Sequence, residues 1–110
     1  MYEYRISLDR VVDGDTIDCC IDLGFGVSVF KRIRLIGINA PETRTKDKEE
    51  KLLGIITKEW LEDRLANMDI VIKTFKDSTG KYGRVLADIY INDVSINQEM
   101  LNLGLVEVYK

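Results

Sequence analysis

The first 40 residues read as strands, that run closes at the single proline, Pro41, and a period near 3.6 takes over. That switch restricts the chain to a strand meander followed by an inserted helix. Residues 4–12 are rich in Ile, Leu and Val, and Asp13-Gly14-Asp15 marks a turn. Residues 16–23 alternate, with Ile17, Cys19, Ile21 and Leu23 on one face and Thr16, Asp18, Cys20 and Asp22 on the other. Gly24-Phe25-Gly26 permits a second reversal, and residues 27–38 form a third β-rich run. Residues 47–66 then place Leu53, Ile56, Trp60, Leu61 and Leu65 along one side of a helix, where they are expected to be core. Asp47, Glu49 and Glu50 sit in its first turn, where the helix dipole favours anions. Gly54 should weaken this helix by about 1 kcal/mol relative to Ala.

Strand character returns over residues 70–76 and 84–91, on either side of a polar loop at 77–83. Asn92-Asp93 reads as a turn, Ser95-x-x-Gln98 as a capping box, and Gly104 as the end of a short second helix. Val106 and Val108 can add a final short strand. The order β-β-β-α-β-β-α predicts a mainly β fold with inserted helices (α+β), a five-stranded OB barrel forming one domain over residues 1–110.

The chain has no histidine and two cysteines, Cys19 and Cys20. This excludes Ser-His-Asp and Cys-His triads, a His general base, and His- or Cys₄-liganded zinc. Any chemistry must use carboxylates, Arg, Lys, Tyr, hydroxyls, or a metal held through oxygen. Residues 1–30 carry two cations and six acids, whereas residues 31–51 carry seven cations and four acids. An acidic start beside a basic stretch can bring a metal and a polyanion together; solvated surface charge gives the same pattern.

Three segments carry groups with chemical potential. Asp13-Gly14-Asp15-Thr16 presents two carboxylates at a tight turn, suited to a hard cation or simply to a turn; its spacing is not that of an EF-hand. Arg34 to Thr43 places Glu42 just past Pro41, as a general base or as a loop anion. Lys81-Tyr82-Gly83-Arg84 sends an arginine into a strand after a glycine, where it can grip a phosphate or lie exposed. Together, oxygen ligands, a free carboxylate and two guanidiniums are the parts for phosphodiester hydrolysis.

Val-x-Asp-Gly-Asp-Thr, then Arg-x-x-Gly-Ile-x-Ala-Pro-Glu, then Tyr-Gly-Arg-x-Leu-Ala-x-Ile-Tyr resembles the staphylococcal nuclease (thermonuclease) family, in order and spacing, across residues 11–109. The resemblance implies an OB fold and a calcium-dependent nuclease that cuts DNA and RNA and leaves 3′-phosphates. It implies Asp15 as a calcium ligand, with Asp13 and Thr16 in the layer behind it. It implies Arg34 and Arg84 as phosphate-binding arginines and Glu42 as general base. Lys81 and Tyr82 match residues flanking the nucleotide pocket, and Tyr109 roughly matches an aromatic near the base. Where the family has a second aspartate ligand this chain has Asn39, whose amide oxygen can still ligate; Ala40 can ligate through its carbonyl.

The expected activity is that of a metal-dependent endonuclease acting on single-stranded or loosely paired DNA or RNA. The rival is a nuclease-like domain that binds nucleic acid or a protein without cutting. The sequence ends soon after the second helix, without the further C-terminal helix of secreted family members. The apolar surface so uncovered predicts a homo-oligomer or a partner-bound chain. No apolar run approaches the ~20 residues that span a bilayer, and the N-terminus lacks a signal-peptide core, so a cytoplasmic protein is expected, or a secreted one if the chain is a domain cut from a longer protein.

Overall fold

A computed structural model describes residues 2–75 and 85–109. Three long strands form the predicted meander: β1 (Tyr2–Asp13), β2 (Thr16–Gly24) and β3 (Val27–Leu35). A two-residue strand β4 (Ile38–Asn39) follows, then helix α1 (Lys48–Leu65), β5 (Ile70–Phe75), β6 (Val85–Ile91), β7 (Val94–Ser95), α2 (Ile96–Asn102) and β8 (Glu107–Val108). The main sheet runs β3-β2-β1-β5-β6-β7, and a parallel pairing of β3 with β6 closes it into a five-stranded barrel. This is the predicted OB-type α+β fold, with three two-residue strands added at its margins.

Period-two alternation drives the closure. Val11, Ile17, Cys19, Ile21, Ile33, Leu35, Ile70, Ile72, Ala87, Ile89 and Ile91 all point inward and are buried. Leu61 and Leu65 of α1, with Ile96 and Met100 of α2, cover the remaining apolar surface. Full burial of each Ile or Leu side chain contributes roughly 1.5–3 kcal/mol.

Four expectations need correction. The third β-rich run is broken: β3 stops at Leu35, and Ile36-Gly37 turns the chain into β4. Leu23, assigned to the inner face, is 46% exposed, because β2 runs past the end of the barrel into the Gly24-Phe25-Gly26 loop. Asp18 lies on the outer face as expected but is buried, covered by arginines from both neighbouring strands. The largest correction concerns α1, whose buried stripe is Gly54, Thr57, Leu61 and Leu65. Leu53 and Ile56 are 55% and 46% exposed, and Trp60 is only partly buried. Hydrophobicity favoured one rotation of the helix, and a close backbone approach at Gly54 imposes another.

The two cysteines differ sharply. Cys20 is exposed, whereas burial pushes the Cys19 thiol up to about 12. At mildly alkaline pH a maleimide is expected to modify Cys20 rapidly and Cys19 only on unfolding. A fast phase persisting in Cys20→Ser would show that Cys19 is reached in the folded protein.

Candidate active site

The β1–β2 turn lies directly on α1. A Cβ on Gly14 would come within 2.5 Å of Thr57 Cγ2 and 3.0 Å of Ala40 Cβ, so the turn needs glycine for lack of space. The carboxylates on either side of it reach the segment that follows β4. Asp15 is 9% exposed; its Oδ1 accepts from Thr16 Oγ1 at 2.9 Å and its Oδ2 from the Ala40 N–H at 2.9 Å. Asp13 Oδ1 accepts from Thr43 Oγ1 at 2.7 Å. Both ends of residues 40–43 are thereby tied to one turn.

Glu42 sits between those ties, exposed, and its carboxylate takes no hydrogen bond among the described residues. Its backbone is fixed from behind. A Cβ on Gly54 would lie 2.7 Å from the Glu42 carbonyl oxygen and 2.8 Å from that of Pro41. The glycine that costs α1 helical propensity is what lets the helix brace this loop. One turn on, Thr57 Oγ1 lies 2.9 Å from Leu53 O and 3.1 Å from Leu105 O, joining α1 to the chain after α2.

Arg34 projects from β3 toward the same place. Its Nη1 donates to Leu35 O at 2.9 Å, and its Nη2 lies 3.5 Å from Asp15 Oδ2 and 3.4 Å from Asn39 Oδ1. The Tyr109 ring centre is 5.5 Å from its guanidinium carbon, within cation–π range. Pairing of β8 with β4 brings Tyr109 there, and its N–H donates to Gly37 O at 3.0 Å.

Asn97 supports the site, and sequence reasoning passed over it. It is 4% exposed; its amide donates to Ile36 O at 3.0 Å and Ala87 O at 3.3 Å, and its oxygen accepts from the Ile89 N–H at 3.3 Å. It locks the turn after β3 onto β6. The one available signal was a weak helix former inside a short helix.

The structure therefore brings together Asp13, Asp15, Thr16, Arg34, Asn39, Ala40, Glu42 and Tyr109. Lys81, Tyr82 and Arg84 lie outside the described residues. Among the described residues no three acidic, cysteine or histidine side chains converge. The donor set is one carboxylate, one amide oxygen and the Ala40 carbonyl. That set still fits a hard dication. The Asp15 and Asn39 oxygens both lie within reach of a single cationic nitrogen, Arg34 Nη2, and a hard dication held by that set would complete its shell with water.

Residues 32–110 match the family described as staphylococcal nuclease homologue. Over 87% of its length the chain is 30% identical to a thermonuclease of Staphylococcus intermedius, covering 54% of that protein. Over 97% of its length it is 31% identical to endonuclease YhcR of Bacillus subtilis, covering 9% of it. It is 27% identical to a thermonuclease of Staphylococcus hyicus over 94% of its length and 58% of that protein. The chain thus spans a little over half of each thermonuclease and a small part of the endonuclease.

Proposed function

Since this chain belongs to the staphylococcal nuclease homologue family, we propose that it is a calcium-dependent nuclease that hydrolyses single-stranded or loosely paired DNA or RNA to 3′-phosphate ends. The observation that carries this is the convergence of Asp15 and Asn39 on Arg34 Nη2, beside a tethered loop bearing Glu42, whose carboxylate takes no hydrogen bond among the described residues. Asp15, Asn39 and the Ala40 carbonyl hold the calcium. When bound, the ion offsets negative charge on the phosphate.

Arg34 donates to the nonbridging oxygens, and its contacts strengthen as charge builds on phosphorus. By family resemblance Arg84 does the same. Glu42 orients the attacking water and takes its proton. A 3′-phosphate end results when the P–O5′ bond breaks. Tyr109, against Arg34, offers a face to the adjoining base.

The non-cutting rival is favoured by Asn39 alone, since an amide supplies one negative charge fewer than a carboxylate. Calcium affinity in oxygen sites rises with ligand charge, so Asn39→Asp is expected to bind calcium more tightly and to reach half-maximal cleavage at lower calcium. The measurement is cleavage of a labelled single-stranded oligonucleotide across a calcium titration and in excess chelator, with calorimetry of calcium binding. Full activity in chelator would overturn the proposal. Binding without cutting in both the wild type and Asn39→Asp would establish the rival.

A further inference from the structure

Outward from Arg34, the strand that carries it holds a second set of groups to which the hydrolytic chemistry gives no role. Arg32 and Phe30 precede Arg34 at two-residue intervals on β3, so all three lie on the outer face, Ile33 and Leu35 being buried inside. Cross-strand pairing sets Arg32 opposite Asp18, and Asp18 opposite Arg10 on β1. Asp18 grips both arginines. Its Oδ1 accepts from Arg32 Nε at 2.8 Å, and its Oδ2 accepts from Arg32 Nη2 at 3.1 Å and from Arg10 Nε at 3.1 Å.

The carboxylate is almost fully covered, while the side chains of Arg32 and Arg10 remain 48% and 58% exposed. Arg32 Nη1 and both terminal nitrogens of Arg10 take no protein acceptor among the described residues. The trio keeps a net positive charge and holds its open donors in fixed orientation. Such a device is weak evidence of a stabilising role, because the ion pairs of a buried carboxylate largely offset its own desolvation. It suits the capture of an oxyanion, where a pre-ordered guanidinium loses less entropy on binding. The hydrogen bonds from Arg32, and secondarily from Arg10, hold the Asp18 carboxyl below the usual aspartate range.

Phe30 is 56% exposed, with the exposed Cys20 as its cross-strand neighbour. Beyond it, Asp22 faces Ser28 and ends the positive strip with a like charge for any polyanion. From one end of the face to the other the order is Phe30, Arg32 with Arg10, Arg34, then Tyr109. The backbone positions of Arg32 and Arg34 on β3 stand about 6.6 Å apart, the two-residue repeat of a strand, a length on the scale of one nucleotide of an extended strand. Aromatic faces beside spaced cations are what a single strand needs, the rings for bases and the cations for phosphates.

We propose that the outer face of β3 is an extended track for single-stranded nucleic acid, in which Arg32 and Arg10, positioned by Asp18, hold the phosphate next to the one bound by Arg34, and Phe30 stacks a base. This rests on the nuclease reading for its polarity toward Arg34, and its binding arm can be measured without any cleavage.

The test compares a thymidine dinucleotide with a thymidine octamer on the full chain. Phe30→Ala and Arg32→Ala are each expected to narrow the KM advantage of the octamer over the dinucleotide about tenfold. By anisotropy, Arg32→Ala should lower the slope of log affinity against log salt by about 0.7, the value for one phosphate contact on a single strand. Phe30 is exposed, so its truncation leaves the fold intact even if Asp18 tolerates the loss of Arg32 poorly. Independently, saturating octamer should slow maleimide modification of Cys20 at least fivefold, and dinucleotide should not.

Unchanged octamer KM or affinity in both variants, with unprotected Cys20, would overturn the track. Equal protection by polyglutamate would also overturn it, in favour of an acidic protein partner. A chain that cuts nothing, yet binds octamer over dinucleotide and protects Cys20, would sink the nuclease reading and leave the track standing.

Discussion

Replacing Arg34 with alanine is expected to lower kcat on a single-stranded oligonucleotide about 10²–10³-fold, the usual cost of removing one donor aimed at developing charge. KM should move far less, because a contact that strengthens in the transition state appears in turnover rather than in ground-state binding. Arg34→Lys should recover little, since an ammonium keeps the charge but lacks the planar fork. Arg34 also donates to Leu35 O and lies beside Asp15 and Asn39, so the melting temperature must be read with the kinetics. On the proposed ligand set of Asp15, Asn39 and the Ala40 carbonyl, calcium binding is expected to survive Arg34→Ala. Near-full turnover in Arg34→Ala would make this arginine a brace of the β3–β4 turn and nothing more.

The second large effect is expected at Gly54, which carries no reacting group of its own. Helix propensity alone favours alanine there by about 1 kcal/mol. Against that, the added Cβ meets two backbone carbonyl oxygens, of Glu42 and Pro41, at 2.7 and 2.8 Å. Backbone cannot rotate aside as a side chain can, and overpacking of this kind costs about 1–3 kcal/mol. The clash wins, and relief requires the Pro41–Glu42 segment to move. Because that segment is anchored at Ala40 and Thr43 by Asp15 and Asp13, the movement falls on Glu42.

Gly54→Ala should therefore lose about 10- to 100-fold in turnover, the scale expected for misplacing a reacting group by up to about 1 Å. The stability change should stay small. Ile55→Ala, on the same turn but pointing outward, serves as the control. A Gly54→Ala protein that melts higher and cuts at the wild-type rate would show that α1 does not set the position of Glu42.

Local features were legible because their causes are local. Period-two alternation marked β2 and β-rich composition marked β1 and β3, the Asp13-Gly14-Asp15 and Asn92-Asp93 turns were readable from their own residue types, and Ser95 caps α2 through the Gln98 N–H. The three linked motifs were sufficient to indicate the family. Glu42, Asp15 and Arg34, each readable alone as an ordinary loop, turn or strand charge, became candidates through the resemblance of the linked motifs.

What the linear chain did not reveal depends on partners far apart in it. The face that α1 buries was decided by Gly54 meeting Glu42 and by Thr57 meeting Gly14, contacts in which the smallest side chain matters more than the most hydrophobic one. Barrel closure depends on the parallel pairing of β3 with β6, and the position of Tyr109 on β8 finding β4. The grouping of Arg10, Asp18 and Arg32 follows from strand register, which turn geometry and burial set jointly. Spacing along the chain therefore determined which elements form and which residue types could act, whereas steric fit between distant backbones determined where those residues meet.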